Sequence, residues 1–333
     1  MKNKKELPVC EEPIFTAFLE YAFPCSILQT NICFQNLLYV SFFDLYWNNN
    51  CDEKLKLYNF NLLDYLLFDS RIIDKSIVDI DNKINNKLKK WIDEDYYIYA
   101  FIDEPKLNAT QFSDFVHKIH VSLIFGYDDY FNNFSILNFD KNKKFGKISI
   151  NQKDLKKACL SNVDETKFIL LKPSFDVVNV EIKLIEKRLS YYLQGKNIEV
   201  GKCRNILSND YFWGINIYTP LCDYINKNNI LDFRLFKLLE EHKVYLYNVY
   251  KYLLPIIKNA SLEKDYLELI NLIKKMNLLT LRQNSIGNAD NKNKLLNFLM
   301  DIKNKELSTL NKFINDLREY LEEHVDYNID YLD

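Results

Sequence analysis

A thiol and an imidazole are the two groups in this chain best placed for covalent chemistry. Cys33 lies in Thr30-Asn31-Ile32-Cys33-Phe34-Gln35-Asn36, directly ahead of an apolar run of helical period. His120 opens a run of strand character, His120-Val121-Ser122-Leu123-Ile124-Phe125-Gly126-Tyr127-Asp128. The positive end of a helix stabilises a thiolate. An imidazole held on a neighbouring strand can take a proton and return it. If the two meet, they can form and break acyl-thioesters.

A third group must orient the imidazole. Strands at 120–127 and 134–140, joined by Asp128-Asp129-Tyr130-Phe131-Asn132-Asn133, read as a hairpin. Its register sets His120 roughly opposite residues 138 to 140, with Asn138 and Asp140 on one face. Either can accept a hydrogen bond from the ring. For an oxyanion, the Cys33 backbone N–H is one donor, and Gln29 or Asn31 can supply a side-chain amide. Papain has a glutamine six residues before its cysteine; that place here is Ile27. Most cysteines are small buried thiols. Cys25 follows Pro24, which suggests a loop, and Cys10 lies in the lead-in. His117 stands upstream of the strand proper. His242 lies among Leu235, Leu238, Leu239, Leu246, Val249 and Leu253 on one helical face, the setting of a satisfied core histidine.

These groups need a scaffold, and the composition supplies one. The chain has 333 residues, of which 48% are hydrophobic, enough for a core domain with a helical appendage. The net charge of -2, with both signs interspersed, argues against nucleic acid as a partner. Only six glycines are present and none form a phosphate-cradling loop, so P-loop and Rossmann readings fail. The seven cysteines show no disulfide framework, the start of the chain is charged, and no apolar run spans a bilayer. A reduced, cytoplasmic protein away from membranes is expected. His117-x-x-His120 lacks third and fourth ligands nearby, so no metal is expected. The lysine runs at 87–90 and 141–147 read as solvated faces that can receive an acidic partner.

Residues 1–29 read as an irregular lead-in, 32–47 as a helix and 75–93 as an amphipathic helix. Strands follow at 96–103, 120–127, 134–140, 146–150 and 167–172, with a short helix at 152–160. From about residue 176 the period turns helical, with helices at 178–193, 216–228, 232–254, 262–276 and 291–323. The expected organisation is α+β: a catalytic region over 1–175 and a mostly helical region over 176–333, packed on it.

The stretch His120-x-x-Leu123-Ile124-Phe125-Gly126-Tyr127-Asp128, with Leu137-Asn138-Phe139, resembles the butirosin-type acyltransferase (BtrH N-terminal-like) family. Gly214-Ile215-Asn216-Ile217-Tyr218 and the segment from Asp232-Phe233-Arg234 to Glu241-His242-Lys243 are similar to that family's second half. The resemblance implies a papain-like cysteine-protease homologue. It implies transfer of an acyl group from a carrier-protein thioester to an amine, as in thiotemplated amide synthetases of peptide-type antibiotic biosynthesis. Cys33 would be the nucleophile, His120 the base and Asn138 the third member. The family often has aspartate at that last place, which keeps Asp140 open. No cofactor would be bound; phosphopantetheine would arrive on an acyl or peptidyl carrier protein, and the acceptor would be a small amine. The rival expectations are a cysteine peptidase or thioesterase-type hydrolase, and a catalytically degenerate binding partner of an assembly line.

Overall fold

The computed structural model describes residues 3–57, 67–74, 83–161, 167–174, 179–196, 210–257, 259–287 and 289–324. The side chains of residues 32–35, 41 and 289 lie outside that description. The protein is α+β, with an antiparallel sheet and a helical C-terminal half. Two compact units divide it: Met1–Gln35 with Phe60–Val177, and Asn36–Asn59 with Val178–Asp333. The sequence suggests a division near residue 175; the structure also groups Asn36–Asn59 with the C-terminal helices.

The first unit is built on β1 (Lys4–Glu6), β4 (Phe68–Asp74), β5 (Tyr97–Asp103), β6 (Ile119–Asp128), β7 (Asn133–Phe139), β8 (Phe145–Asn151) and β9 (Lys167–Pro173). Their order is β4-β9-β5-β6-β7-β8, antiparallel throughout. The ten-residue β6 has β5 beside Ile119–Ile124 and β1 beside Gly126–Asp128. A bulge between Ile124 and Gly126 resets the β7 register. Glycine is needed there: a Cβ would stand 2.9 Å from Glu6 Cγ and 3.1 Å from the β1 backbone.

Alternation gives this sheet two faces. Tyr97, Tyr99, Phe101 and Asp103 lie on one; Ile98, Ala100 and Ile102 lie on the other. Helix α1 (Leu19–Leu28) covers the first, with Phe23 edge-on to Tyr99 at 5.6 Å and tilted against Phe145 at 6.1 Å. Helix α3 (Ile84–Asp93) covers the second. It buries Ile84, Leu88 and Ile92 completely and sets Trp91 6.0 Å from Phe168, which pairs with Ala100. Helix α4 (Gln152–Cys159) starts at Asn151, whose side chain accepts the Lys153 N–H at 2.9 Å.

Several expectations need correction. The lead-in is not irregular: α1 runs through Pro24 and Cys25. Helix α2 (Ile32–Ser41) stops six residues short of the expected end, and β2 (Leu45–Asn48) follows. The expected helix at 75–93 begins at Ile84; residues 75–82 lie outside the described residues. Lys89 is not solvated. It is buried against Asp129, with Gln152 Oε1 accepting from it at 3.2 Å.

The second unit has a small sheet, β10 (Tyr211–Trp213), β2 and β3 (Leu55–Leu57). Its helices are α5 (Ile182–Gln194), α6 (Tyr218–Lys227), α7 (Phe233–Ile257), α8 (Leu262–Ile286) and α9 (Ala289–His324). The stripe expected on α7 is buried as read, His242 included. No helix among the described residues is long and apolar enough to cross a membrane.

Candidate functional site

Strand β5 ends in one carboxylate, Asp103, and a second, Glu104, follows it directly; both are fully buried. Alternation sends them to opposite faces. Asp103 meets His117, in the segment that leads into β6, and Glu104 meets His120, the second residue of β6. Glu104 opens the 3-10 turn Glu104–Leu107, and its N–H donates to the Lys118 carbonyl at 3.0 Å. Its Oε2 lies 2.5 Å from His120 Nδ1. Its Oε1 is buried with no hydrogen-bond partner among the described residues. The side chain of this carboxylate is therefore dedicated to one imidazole. A ring that gives its Nδ1 proton to Glu104 keeps the Nε2 lone pair for a substrate proton. The His120 side chain is 28% exposed, so the imidazole is reachable from solvent. Phe112 stands edge-on to the ring at 4.9 Å and restricts its tilt.

Asp103 is held differently. It accepts from His117 Nδ1 at 2.8 Å, from Ser161 Oγ at 2.8 Å and from the Lys118 N–H at 3.0 Å. Burial alone pushes its pKa up, but the Lys118 amide, His117 and Ser161 outweigh burial and hold it below the usual carboxylate value. His117 is 57% exposed.

The two residues expected to orient His120 have other partners. Asn138 Nδ2 donates to Ser122 Oγ at 2.8 Å and to the Val121 carbonyl at 3.2 Å, while its Oδ1 accepts the Phe139 N–H at 2.7 Å. Its amide hydrogens tie β7 to β6, and its oxygen is spent within β7. Asp140 Oδ1 accepts N–H groups from Asn142 at 2.8 Å and Lys144 at 2.9 Å, which closes a turn. Hydrogen bonding to His120 comes instead from the β5 side of β6, where Ile102 pairs with it.

Cys33 is the second residue of α2, so its backbone position within a first helical turn is as expected; its side chain lies outside the described ones. Gln29, just after α1, spends its Oε1 on the Ile14 N–H at 2.8 Å. Asn31 is exposed and lines a cavity of about 550 Å³ with Thr30, Ile27, Tyr97 and Pro173. This cavity sits at the start of β5, on the face that α1 covers. His120 pairs with Ile102, five residues further along β5, and shares the opposite face. At about 3.4 Å per residue, that is roughly 17 Å along the strand. The described residues that lead into α2 are thus not beside the imidazole.

The other cysteines divide by burial. Cys25 and Cys159 are completely buried, and burial pushes the Cys159 thiol far above its usual value. Cys10, Cys51 and Cys222 are partly exposed free thiols, and burial also raises Cys222. Cys203 lies outside the described residues.

His242 belongs to the core of the second unit. Its Nε2 donates to the Phe43 carbonyl at 2.9 Å, and its Nδ1 accepts from Lys243 Nζ at 3.1 Å. Burial, and then the Lys243 cation, hold the ring's pKa well below its ordinary value. Among the described residues, no group of three or more histidine, cysteine or acidic side chains is arranged to hold a metal ion. No protein-family model matches this chain, and no curated protein matches it.

Proposed function

We propose that the protein transfers an acyl group from a thioester to an amine, with His120 as the proton carrier and Glu104 as the group that orients it. The observation that carries this reading is the His120–Glu104 pair: a completely buried carboxylate 2.5 Å from Nδ1 of a reachable imidazole. A carboxylate so placed fixes the tautomer and stabilises the imidazolium that forms when Nε2 takes a proton. On this reading the sheet-bearing unit is a papain-like core working in the cytoplasm. The donor is the phosphopantetheine thioester of a carrier protein.

Cys33 is the proposed nucleophile. Because residues 30–31 just ahead of it are not beside the imidazole, this route requires the start of α2 to be brought to His120; there the thiol proton passes to the imidazole, and the thiolate attacks the thioester carbonyl. A new C–S bond forms, the donor C–S bond breaks, and the leaving thiolate takes the proton from the imidazolium. An amine then attacks the acyl-cysteine. Its surplus proton passes through His120 to the Cys33 sulfur as that C–S bond breaks and the amide is released. Thioester to amide runs downhill, so this scheme consumes no nucleotide.

The position of Thr30 and Asn31 favours a second reading, direct transfer. The amine attacks the bound thioester itself, and His120 takes the amine proton and gives it to the departing thiolate. One experiment separates the two. Wild type and the Cys33→Ala, His120→Ala and Glu104→Gln variants are incubated with an acyl thioester of N-acetylcysteamine. Intact-protein mass spectrometry then reads acylation, and chromatography reads amide formation. An adduct lost only in Cys33→Ala and His120→Ala supports the acyl-enzyme. Amide formation that survives Cys33→Ala and is lost in His120→Ala selects direct transfer. Turnover that survives His120→Ala overturns both.

A further inference from the structure

Lys118 stands two residues before His120, and its backbone is fixed on both sides. Its N–H donates to Asp103 Oδ1 at 3.0 Å, and its carbonyl accepts the Glu104 N–H at 3.0 Å. The residues that hold the two histidines therefore also hold this lysine. Aromatic rings place its side chain. The ammonium lies 3.4 Å from the centre of the Phe112 ring and 5.2 Å from that of Phe115. Phe112 is itself 4.9 Å from the His120 ring, edge to face. Ammonium and imidazole thus lie against one phenyl ring, separated by no more than those two contacts together. The lysine is half-buried, and among the described residues its ammonium has no ion pair and no hydrogen bond. Most lysines are solvated surface cations. This one has a clamped backbone, an aromatic seat and unspent N–H donors beside a candidate proton carrier.

We infer that the Lys118 ammonium stabilises the negative charge that forms on the thioester carbonyl oxygen at His120. This rests on the reading of His120 as proton carrier, in either mechanism. On addition, the attacking thiol or amine gives its proton to His120 and bonds to the carbonyl carbon. The C=O π pair moves onto oxygen and makes an oxyanion. On collapse C=O re-forms, the donor C–S bond breaks, and the imidazolium returns the proton to that sulfur. The oxyanion needs a donor about 3 Å away that is in place before the charge develops. The groups expected for this task are elsewhere. Gln29 Oε1 accepts from Ile14, and Asn31 lines the cavity at the start of β5, on the face opposite to His120. In the tetrahedral adduct the oxyanion and the atom that exchanges a proton are separate substituents of one carbon. Their two partners on the protein must therefore stand several Å apart, as two groups seated on one phenyl ring do. The ring also excludes water from one side of the ammonium, which strengthens its field at the oxygen.

The test measures amide formation from the hexanoyl thioester of N-acetylcysteamine and benzylamine in wild type, Lys118→Met, Lys118→Arg and His120→Ala. The thioester is neutral and offers the ammonium no anion in the ground state. Lys118→Met should lower kcat about 10²-fold and leave KM within a few-fold, and Lys118→Arg should recover part of the loss. Methionine keeps an unbranched apolar stem against Phe112; Lys118→Gln is the second neutral variant should urea unfolding show the first to be unfolded. Titration calorimetry reads binding apart from turnover, with two unreactive probes. One is the neutral ketone S-(2-oxoheptyl)-N-acetylcysteamine. The other is the N-acetylcysteamine thioester of pentylphosphonic acid, a tetrahedral anion. The anion should bind about tenfold or more weakly in the neutral variants and nearly normally in Lys118→Arg, while the ketone binds all of them alike. If wild type gives no turnover, or His120→Ala turns over as wild type does, the transferase reading falls; the anion's dependence on Lys118 then still decides whether the ammonium is an oxyanion site. Anion binding unchanged in the neutral variants, kcat within a few-fold of an active wild type, or a loss carried wholly by KM overturns the inference.

Discussion

Two clusters of buried charge, one in each unit, are built to different ends. In the sheet-bearing unit Asp103 and Glu104 are wholly buried, yet each faces a histidine that keeps part of its ring in solvent. In the helical unit the cluster is sealed. Lys243 Nζ donates to Glu306 Oε1, to Tyr192 Oη at 2.8 Å and to His242 Nδ1, while Tyr218 Oη donates to Glu306 Oε2 at 2.6 Å. Every member of that network is at most 1% exposed. Desolvation of a charge costs several kcal/mol in both places. The sealed network recovers it by mutual pairing and leaves no atom for an outside molecule. The open cluster leaves one ring nitrogen on each histidine unspent. A buried acid is therefore a functional signal where its partner can still be reached, and an architectural one where it cannot.

The largest effect should come from breaking the sealed pair. Replacing Glu306 by Ala strands the Lys243 ammonium in the core, an expected loss of about 3–5 kcal/mol. The double change Lys243→Met with Glu306→Leu removes both charges at similar volume and should return most of that loss. Urea unfolding of the wild type and the two variants makes the comparison. A double variant as unstable as Glu306→Ala alone would show that the network matters through its shape and not its charge.

The open cluster should respond in rate more than in stability. Glu104→Gln keeps the volume and removes the charge that orients His120, so turnover should fall about 10²-fold. His120→Ala should fall at least as far. If Glu104→Gln costs several kcal/mol of stability and leaves turnover intact, the two clusters are alike after all.

The comparison also explains what was legible in the sequence. Strands at 96–103, 120–127, 134–140, 146–150 and 167–172 appear within two residues of their places, because β-branched and aromatic residues mark them. Helix α1 carries no amphipathic signal because it has no polar face: nine of its ten residues are buried, and Pro24 sits within it. Glu104 is hidden in the sequence for a topological reason. The chain displays the β6–β7 hairpin as a local repeat, so Asn138 and Asp140 were the visible neighbours of His120. The neighbour across β5 lies 16 residues earlier and becomes visible only once the sheet order is known. One signal was available: Asp103-Glu104 ends a wholly apolar strand, and acids buried there need partners. His242 was readable as core from its stripe, but Lys243 beside it reads as a surface cation until the helices close around it.

pH separates the clusters further. The pKa of His242 is held well below its usual value, chiefly by burial and then by Lys243. The folded protein therefore leaves this ring neutral where the unfolded chain already protonates it. Stability contributed by the neutral ring is full above about pH 6.5 and is lost as pH falls below it, at up to about 1.4 kcal/mol per pH unit for one proton. Asp103 has the opposite chemistry, a depressed carboxylate whose contribution persists until pH falls to about 3.9 and below. Urea unfolding at pH 7.5, 6 and 5 should show a slope that His242→Gln reduces. An unchanged slope in that variant would assign the proton uptake elsewhere.

The smallest predicted effect decides between two orienting residues. Asn138 is fully buried and shares a sheet face with His120 through Ser122, so proximity alone would allow it a part in proton transfer. Its hydrogen bonds argue for a different task. Both amide hydrogens are committed to β6, at Ser122 and Val121, and its oxygen accepts from Phe139. Turning that oxygen toward the imidazole would break all three. Asn138→Ala should then cost about 1–2 kcal/mol of stability, mostly from buried groups left unpaired at Ser122 and Phe139. Ser122→Ala should cost less, and the double change less than the sum, because the two share one bond. Turnover in Asn138→Ala should stay within a few-fold of wild type at a temperature where both are folded. A loss matching that of His120→Ala, with Glu104→Gln silent, would hand the orienting role back to the hairpin.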